Sequence, residues 1–360
     1  MTIRLAILWS HPASYLYAAI NSATESGAQV LLSCFKSGAK APYKLDNNTF
    51  RNGNSRMVWD NANSIDPVAL ANALEEMQPD ILIISGWNHP NYMRIARQYA
   101  GRAVRLLAMD NQWEATPRQM LGSLMSRRLI QPYFDYAFVP GERQYQFARR
   151  LGFAENRIVD GLFTCDPGFY QPPPPDPLPR GFIYVGRLSR EKGIHTLINA
   201  YAKYRDHTPR PWELHLYGAG QEISPEQLPP GARLHGFIQP EQLPSLLQSH
   251  QAFIMPSHWE PWGVAIHEAA SAGLPMICSA CCGAAVHLLK NNFNGYTIKP
   301  DDVDGLAAAM AKMSSLDAGQ LQAMAENGKK LAAQFHPAAW FPNLLVQLPG
   351  VGDAATVQQS

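Results

Sequence analysis

Charge is scarce in this chain and nearly balanced. Only 16% of its 360 residues are Asp, Glu, Lys or Arg, and they sum to a formal +1. Without a basic field there is no electrostatic footprint for nucleic acid, and no nucleic-acid partner is expected. No apolar run approaches the length of a membrane-spanning helix. Residues 3–9 are apolar but lack the length and cleavage pattern of a signal peptide, so a cytoplasmic location is expected. The five cysteines, odd in number and unevenly placed, argue against a disulfide framework and suit a reducing compartment. Cys278, Cys281 and Cys282 cluster upstream of His287. No second Cys pair completes a zinc site, so a buried strand end and turn is the reading taken there. Neither half carries a persuasive carboxylate metal motif, and neither a metal nor another cofactor is expected. The turn from Trp9 to Tyr15 has no glycine, which excludes the Gly-x-Gly-x-x-Gly fingerprint of a dinucleotide oxidoreductase. Gly218-Ala219-Gly220 is too short to restore that reading.

What is present points to an α/β chain of two domains, each large enough for its own core. Strands are expected at 3–8, 29–33, 80–85, 105–108 and 136–139. They alternate with helices near 13–25, 66–77, 92–99, 117–131 and 142–151, the pattern of a parallel sheet covered by helices. Residues 35–65 are polar and weakly patterned, and read as functional loops with an edge hairpin. The Pro-rich stretch 171–180 is an extended, fairly stiff linker. It separates a first domain, 1–170, from a second, 181–335; 336–360 should be a last helix, crossing back to the first domain, and a loose tail. Residues 118–133 combine Met120, Leu121, Leu124, Met125, Leu129 and Ile130 with Arg118, Arg127 and Arg128. A basic amphipathic helix can lie on anionic lipid, so peripheral contact at the inner face of a membrane stays open. Packing of the stripe against its own domain is the favoured reading.

Two motifs in the second half carry the chemistry. In Tyr184-Val185-Gly186-Arg187-Leu188-Ser189-Arg190-Glu191-Lys192-Gly193, a buried strand ends at a glycine and two cations follow. A helix with Ile194, Leu197, Ile198 and Tyr201 on one stripe comes next. Arg offers a planar fork and Lys a point charge, and both suit phosphate oxygens. The plain alternative is solvated loop charges paired with Glu191. In Glu260-Pro261-Trp262-Gly263-Val264-Ala265-Ile266-His267-Glu268, a second strand ends and a helix begins. The amides of Trp262, Gly263 and Val264 then form an anion site at the helix N-terminus. Glu260 and Glu268 flank it. Carboxylates are poor neighbours for a diphosphate and good acceptors for hydroxyls, which suits a ligand with a sugar at one end of a diphosphate and a ribose at the other.

Gly186-Arg187, Lys192-Gly193 and then Glu260 and Glu268 resemble the pattern Gly-Arg-x(4)-Lys-Gly followed by Glu-x(7)-Glu of glycosyltransferase family 4. That group comprises retaining nucleotide-sugar enzymes with the GT-B fold. Leu214-His215-Leu216-Tyr217-Gly218-Ala219-Gly220, Leu234-His235-Gly236-Phe237-Ile238, Ala272-Gly273-Leu274-Pro275 and Asn294-Gly295-Tyr296 follow in the family's order. The resemblance covers about 180–335 and is much looser over 1–170. It implies two Rossmann-like domains with parallel sheets facing across a deep cleft, the active site lying in that cleft. It implies transfer of a hexosyl unit from a nucleoside diphosphate, UDP or GDP, to a hydroxyl of a glycan or glycolipid acceptor, with retention. Arg187 and Lys192 would stabilise charge on the departing diphosphate. Glu260 would hold donor-sugar hydroxyls and Glu268 the ribose, while Gly186, Gly218 and Phe237 border the donor. Such a carboxylate pair differs from that of a glycoside hydrolase, which flanks the scissile bond from two faces.

The first half departs from the family pattern. Many members have a Gly-Gly loop where this chain has Trp9-Ser10-His11-Pro12-Ala13, and a His where it has Met109-Asp110-Asn111. His89, at a strand end, is taken as a catalytic candidate, with His11 and Asp110 as acceptor-side candidates. His287 stands where many relatives have Glu. The alternative is a non-catalytic nucleotide- or carbohydrate-binding protein on the same fold.

Overall fold

The computed structural model describes residues 2–11, 13–35, 55–60, 66–171 and 181–351. The chain divides into two compact units, Met1–Thr164 with Phe335–Ser360, and Cys165–Gln334. The predicted linker at 171–180 and the tail beyond 351 lie almost wholly outside the described residues.

The first unit begins with β1 (Arg4–Trp9), α1 (Ser14–Glu25), β2 (Gln29–Phe35), β3 (Ser55–Asp60), α2 (Pro67–Met77) and β4 (Ile81–Ser85). It continues with α3 (Pro90–Gln98), β5 (Val104–Ala108), α4 (Pro117–Leu129), β6 (Tyr136–Val139), α5 (Glu142–Arg150) and β7 (Ile158–Asp160). Its strands pair in parallel in the order β3-β2-β1-β4-β5-β6-β7. Leu5–Leu8 and Ile81–Ile84 are buried without interruption, as expected of strands covered on both faces. Helix starts are written locally: Asp66 accepts from the amides of Val68 and Ala69 ahead of α2, with Pro67 at the first helical position. Leu70, Leu74, Tyr92, Ile95 and Phe147 from α2, α3 and α5 pack on Leu8, Leu31, Leu82 and Leu107 of the sheet.

The second unit contains β8 (Gly181–Val185), α6 (Ile194–His207), β9 (Glu213–Tyr217), β10 (Ala232–Gly236), α7 (Leu243–Gln248) and β11 (Ala252–Met255). Then come α8 (Val264–Ala272), β12 (Met276–Ser279), α9 (Ala285–Leu288), β13 (Gly295–Ile298), α10 (Val303–Ser314) and α11 (Ala318–Ala332). Its parallel order is β10-β9-β8-β11-β12-β13. The final helix, α12 (Pro337–Val346), belongs to the first unit. There Phe341 N–H donates to Ser22 Oγ of α1 and Trp340 Nε1 to the Leu162 carbonyl.

Both sheets follow the doubly wound order in which the chain starts centrally, fills one side, and then crosses to the other. The reversal falls between β1 and β4 in one unit and between β8 and β11 in the other. Loops leaving the carboxyl ends of those strand pairs splay apart, and a ligand crevice forms there.

Two expectations are corrected. In the segment 35–65, where an edge hairpin was expected, residues 55–60 form a parallel strand, β3, added to β2 at the sheet edge, while 36–54 and 61–65 lie outside the described residues. Parallel pairing needs a crossover of a dozen or more residues, which 36–54 supplies in length. The stripe in 118–133 does not pack on its own domain. Ile130 is buried, but Met120, Leu121, Leu124, Met125 and Leu129 are exposed. Among the described residues no helix is long and apolar enough to cross a membrane.

One buried ion pair ties β5 to the start of β6. The Arg105 side chain, 8% exposed, donates to both carboxylate oxygens of Asp135 at 3.0 and 2.9 Å, and to the carbonyls of Ala96 and Pro132. Burial opposes ionisation of Asp135, but the Arg105 guanidinium and its backbone N–H hold the carboxyl below the usual range. Removing one partner strands a buried charge. Asp135→Ala should therefore cost about 3–5 kcal/mol of stability. Urea unfolding measures this, and an unchanged midpoint would refute it.

Candidate active site

In the second unit, the loops after β8 and β11 meet at the switch point. His258 N–H donates to the Glu191 carbonyl at 2.9 Å, joining the two loops through the backbone. Gly193, at φ +69°, lies so close to the other loop that an added Cβ would stand 2.1 Å from the Pro256 carbonyl oxygen. Only glycine fits that crossing. The two motifs are thus brought together by backbone contact, and their side chains follow. Lys192 Nζ reaches Glu260 Oε2 at 2.5 Å, with the two side chains only 11% and 13% exposed.

The cations of the first motif divide. Lys192 is buried against the second motif, whereas Arg187 is half-exposed and paired with Glu191 in its own loop. The plain reading, loop charges paired with Glu191, therefore describes Arg187 and not Lys192. Gly186 and Gly218 stand side by side at the strand ends: Gly186 N–H donates to the Tyr217 carbonyl at 3.0 Å and Gly218 N–H to the Gly236 carbonyl at 2.8 Å. Phe237 follows β10 directly and is half-buried.

Glu260 is set by the loop after β12. Ser279 Oγ donates to the Ser257 carbonyl, Gly283 N–H to that of Glu260 at 3.0 Å, and Ala284 N–H to that of Trp262 at 2.8 Å. Trp262 is buried, its ring 5.8 Å from that of His287. Gly263, at φ +95°, then opens α8 with no side-chain cap, and Val264 begins the helix. A side chain at Gly263 would be strained and would crowd Glu260 Cγ at 3.0 Å. The start of α8 thus lies beside the Lys192–Glu260 pair and carries no side-chain cap. Glu268 lies in α8 beyond these amides and is buried. Its neighbour His267 is fully buried, which pushes its pKa down to about 3 and keeps it neutral.

In the first unit, a cavity of about 200 Å³ sits at the carboxyl ends of β1, β4 and β5. His89 and Asp110 both line it, together with Trp9, Tyr15, Trp87 and Asn111. His89 precedes α3, and its ring meets Tyr92 edge-on at 5.4 Å. Tyr92 is itself anchored by its hydroxyl to the Trp9 carbonyl at 3.0 Å. Burial, and then the nearby His11, hold the His89 pKa below its ordinary value. His11 is exposed and close enough for that charge interaction, but does not line the cavity.

The sequence reading missed three parts of this arrangement. One is the 279–284 brace, for which Gly283 was the available signal: a Cβ there would stand 1.8 Å from the Pro261 carbonyl oxygen. Another is the aromatic lining from Trp9, Tyr15 and Trp87. The third is a stack of Tyr217 on His235, centroids 4.4 Å apart and nearly coplanar, at the ends of β9 and β10. The position of each just before a glycine, on neighbouring parallel strands, carried that information. Among the described residues no group of three His, Cys, Asp or Glu is placed to hold an ion. Cys278 and Cys282 are buried, and burial raises both thiols, Cys282 to about 12.

Residues 173–331 match the family model described as glycosyl transferases group 1. That match takes in nearly all of the second unit. Glycogen synthase of Mycobacterium tuberculosis is 36% identical over 141 residues, covering 37% of this chain and 33% of that protein. The chain thus spans about a third of the curated relative it matches there. Lipopolysaccharide 1,6-galactosyltransferase of Salmonella typhimurium is 25% identical over 257 residues, covering 67% of each. Over the whole chain the fold is that of GT-B structures. The crystal structure of Anabaena HepE in complex with UDP and glucose superposes with a TM-score of 0.71 at 17% identity, covering 96% of this chain and 100% of that one.

The buried Lys192–Glu260 pair is open to a direct test. Lys192→Ala should cost roughly 3 kcal/mol of stability by leaving Glu260 uncompensated. Adding Glu260→Gln should recover part of that loss. Simple additivity of the two losses in urea unfolding would show that the pair is not coupled. Separately, His11→Gln should raise the pKa of His89 by removing a neighbouring positive charge, read from the ring resonances in an NMR titration. A downward shift or none would dissociate the two histidines.

Proposed function

We propose that the chain is a retaining, family 4-type hexosyltransferase that takes a nucleoside diphosphate sugar, with UDP or GDP as carrier, to a hydroxyl of a glycan or glycolipid. The observation that carries this is the Lys192–Glu260 pair, buried at a sheet switch point beside the uncapped start of α8. With no donor bound, each charge neutralises the other. An arriving diphosphate takes up Lys192 and the amides of Trp262, Gly263 and Val264, and leaves Glu260 to accept from sugar hydroxyls. Glu268, on the same helix, is assigned the ribose, and Phe237 the border of the base.

During transfer the bond between the anomeric carbon and the diphosphate oxygen breaks, and its electron pair leaves with the diphosphate. Charge therefore grows where Lys192 and the helix amides are already oriented, so stabilisation rises toward the transition state without reorganisation. Arg187 joins this site by exchanging Glu191 for phosphate oxygen. The acceptor oxygen bonds to the anomeric carbon on the face the diphosphate left, and its proton passes to the departing diphosphate. On this reading the first unit supplies the acceptor side, through the cavity that holds His89 and Asp110, with His11 at its margin. Because His89 is held neutral, it can hydrogen-bond a sugar hydroxyl without adding a charge.

The relatives support a UDP-hexose as the first donor to try: HepE was crystallised with UDP and glucose, and one relative is named a galactosyltransferase. Calorimetry with UDP, GDP and ADP should show one bound selectively by the wild type and at least tenfold more weakly by Lys192→Ala, given that hydrogen bonds to charged groups are worth about 1.5–3 kcal/mol. Circular dichroism first establishes that the variant is folded. Wild-type affinity in a folded Lys192→Ala protein would sink the assignment of Lys192. Binding of none by the folded wild type would favour the non-catalytic reading.

A further inference from the structure

Thr196, His258 and Asp301 come from three separate segments and meet behind the loops that carry Lys192 and Glu260. Thr196 lies in the first turn of α6, just after Lys192, and is buried. His258 stands two residues before Glu260, and Asp301 lies between β13 and α10. The Thr196 hydroxyl donates to Asp301 Oδ1 at 2.8 Å. His258 Nε2 is 3.3 Å from that hydroxyl and 3.5 Å from the same carboxylate oxygen. A hydroxyl that gives its one proton to Asp301 keeps its lone pairs for His258. The bonds therefore run in one direction, from His258 through Thr196 to Asp301, and require a proton on Nε2. The backbone of His258 is held as well, its N–H donating to the Glu191 carbonyl at 2.9 Å.

Asp301 adopts φ +58°, a left-handed conformation that glycine takes with less strain. The start of α10 does not account for it. Asp302 caps that helix, accepting from Gly305 N–H at 2.8 Å. What the strained turn achieves is to aim the Asp301 carboxylate at Thr196. Nor is stability a sufficient reason, because the Asp301 side chain is 78% exposed and an ion pair so placed contributes little. Strain kept without a folding benefit points to function. We propose that Asp301 is a positioning residue for the candidate donor site: through Thr196 it orients the His258 ring, and so holds the loop of Glu260 against the loop of Lys192.

Only the expected effect on nucleotide binding rests on the function proposed above; the effect on the loops does not. Asp301→Gly removes the carboxylate and keeps the turn. Its melting temperature should stay close to the wild type, since relief of strain offsets the entropy glycine adds to the unfolded chain. The His258 amide, followed by hydrogen exchange in the full chain, should exchange about fivefold faster, and UDP should bind about fivefold more weakly by calorimetry, the order of effect that indirect contacts transmit. Thr196→Val should reproduce the faster exchange. Asp301→Asn tolerates the same turn and retains an oxygen for the Thr196 hydroxyl, so it should restore both values. Unchanged exchange in Asp301→Gly overturns the proposal. So does Asp301→Asn behaving like Asp301→Gly, or faster exchange with unaltered UDP affinity. If the wild type binds no UDP, the donor reading is what fails, and exchange at His258 still decides whether Asp301 holds the loops.

Discussion

The contact between Lys192 and Glu260 is the constraint around which the second unit's site is arranged. A buried ion pair holds its place only when geometry and neighbouring hydrogen bonds offset desolvation. Here the geometry comes from backbone. Gly193 lets one loop press on Pro256, His258 bonds to Glu191, and the 279–284 segment grips Glu260 and Trp262 from the other side. The ends of β8, β11 and β12 are thus locked to one another before any ligand arrives. Such pre-organisation lets a lysine and a helix terminus act on a developing charge without first having to move.

The two units solve the same problem with different side chains. In each sheet the strand order reverses between the first and the fourth strand, and each places its candidate residues at that reversal. In the second unit the crevice is lined by charge and the first turn of α8, chemistry suited to a diphosphate. In the first it is lined by Trp9, Tyr15, Trp87 and a neutral His89, chemistry suited to the faces and hydroxyls of a sugar. Topology supplies the location in both, and the residues after each strand decide the ligand.

Helix α4 shows that an apolar pattern does not say which way it faces. Its leucines and methionines invite a buried reading, yet Ser126 is the residue of the helix that is buried, and the large residues are left outside. Ile130, buried just after the helix, anchors the segment to the core of its unit. Its exposed face is consequently free to be selected for something other than folding.

Much of the architecture was legible from local pattern. Uninterrupted apolar runs such as Leu5–Leu8 can be satisfied only between two layers of helices, and Pro67, Pro90 and Asp66 mark helix starts through their own backbone chemistry. The two charged motifs likewise declare phosphate chemistry, because residue type and spacing along one strand-loop-helix unit are local facts. Strands β3 and β7 were not legible: each lies at a sheet edge and pairs with a single neighbour. Nor could sequence say which cation meets Glu260. Arg187 and Lys192 look equivalent in the chain, and only the closeness of two loops, 68 residues apart at Lys192 and Glu260, buries one and leaves the other in solvent. Sequence by itself determined most of the elements and the two charged motifs, since both follow from short-range periodicity and side-chain chemistry. Tertiary structure alone decided the partner of Lys192, the brace behind Glu260 and the outward face of α4, because each depends on which distant segments come within a few ångströms.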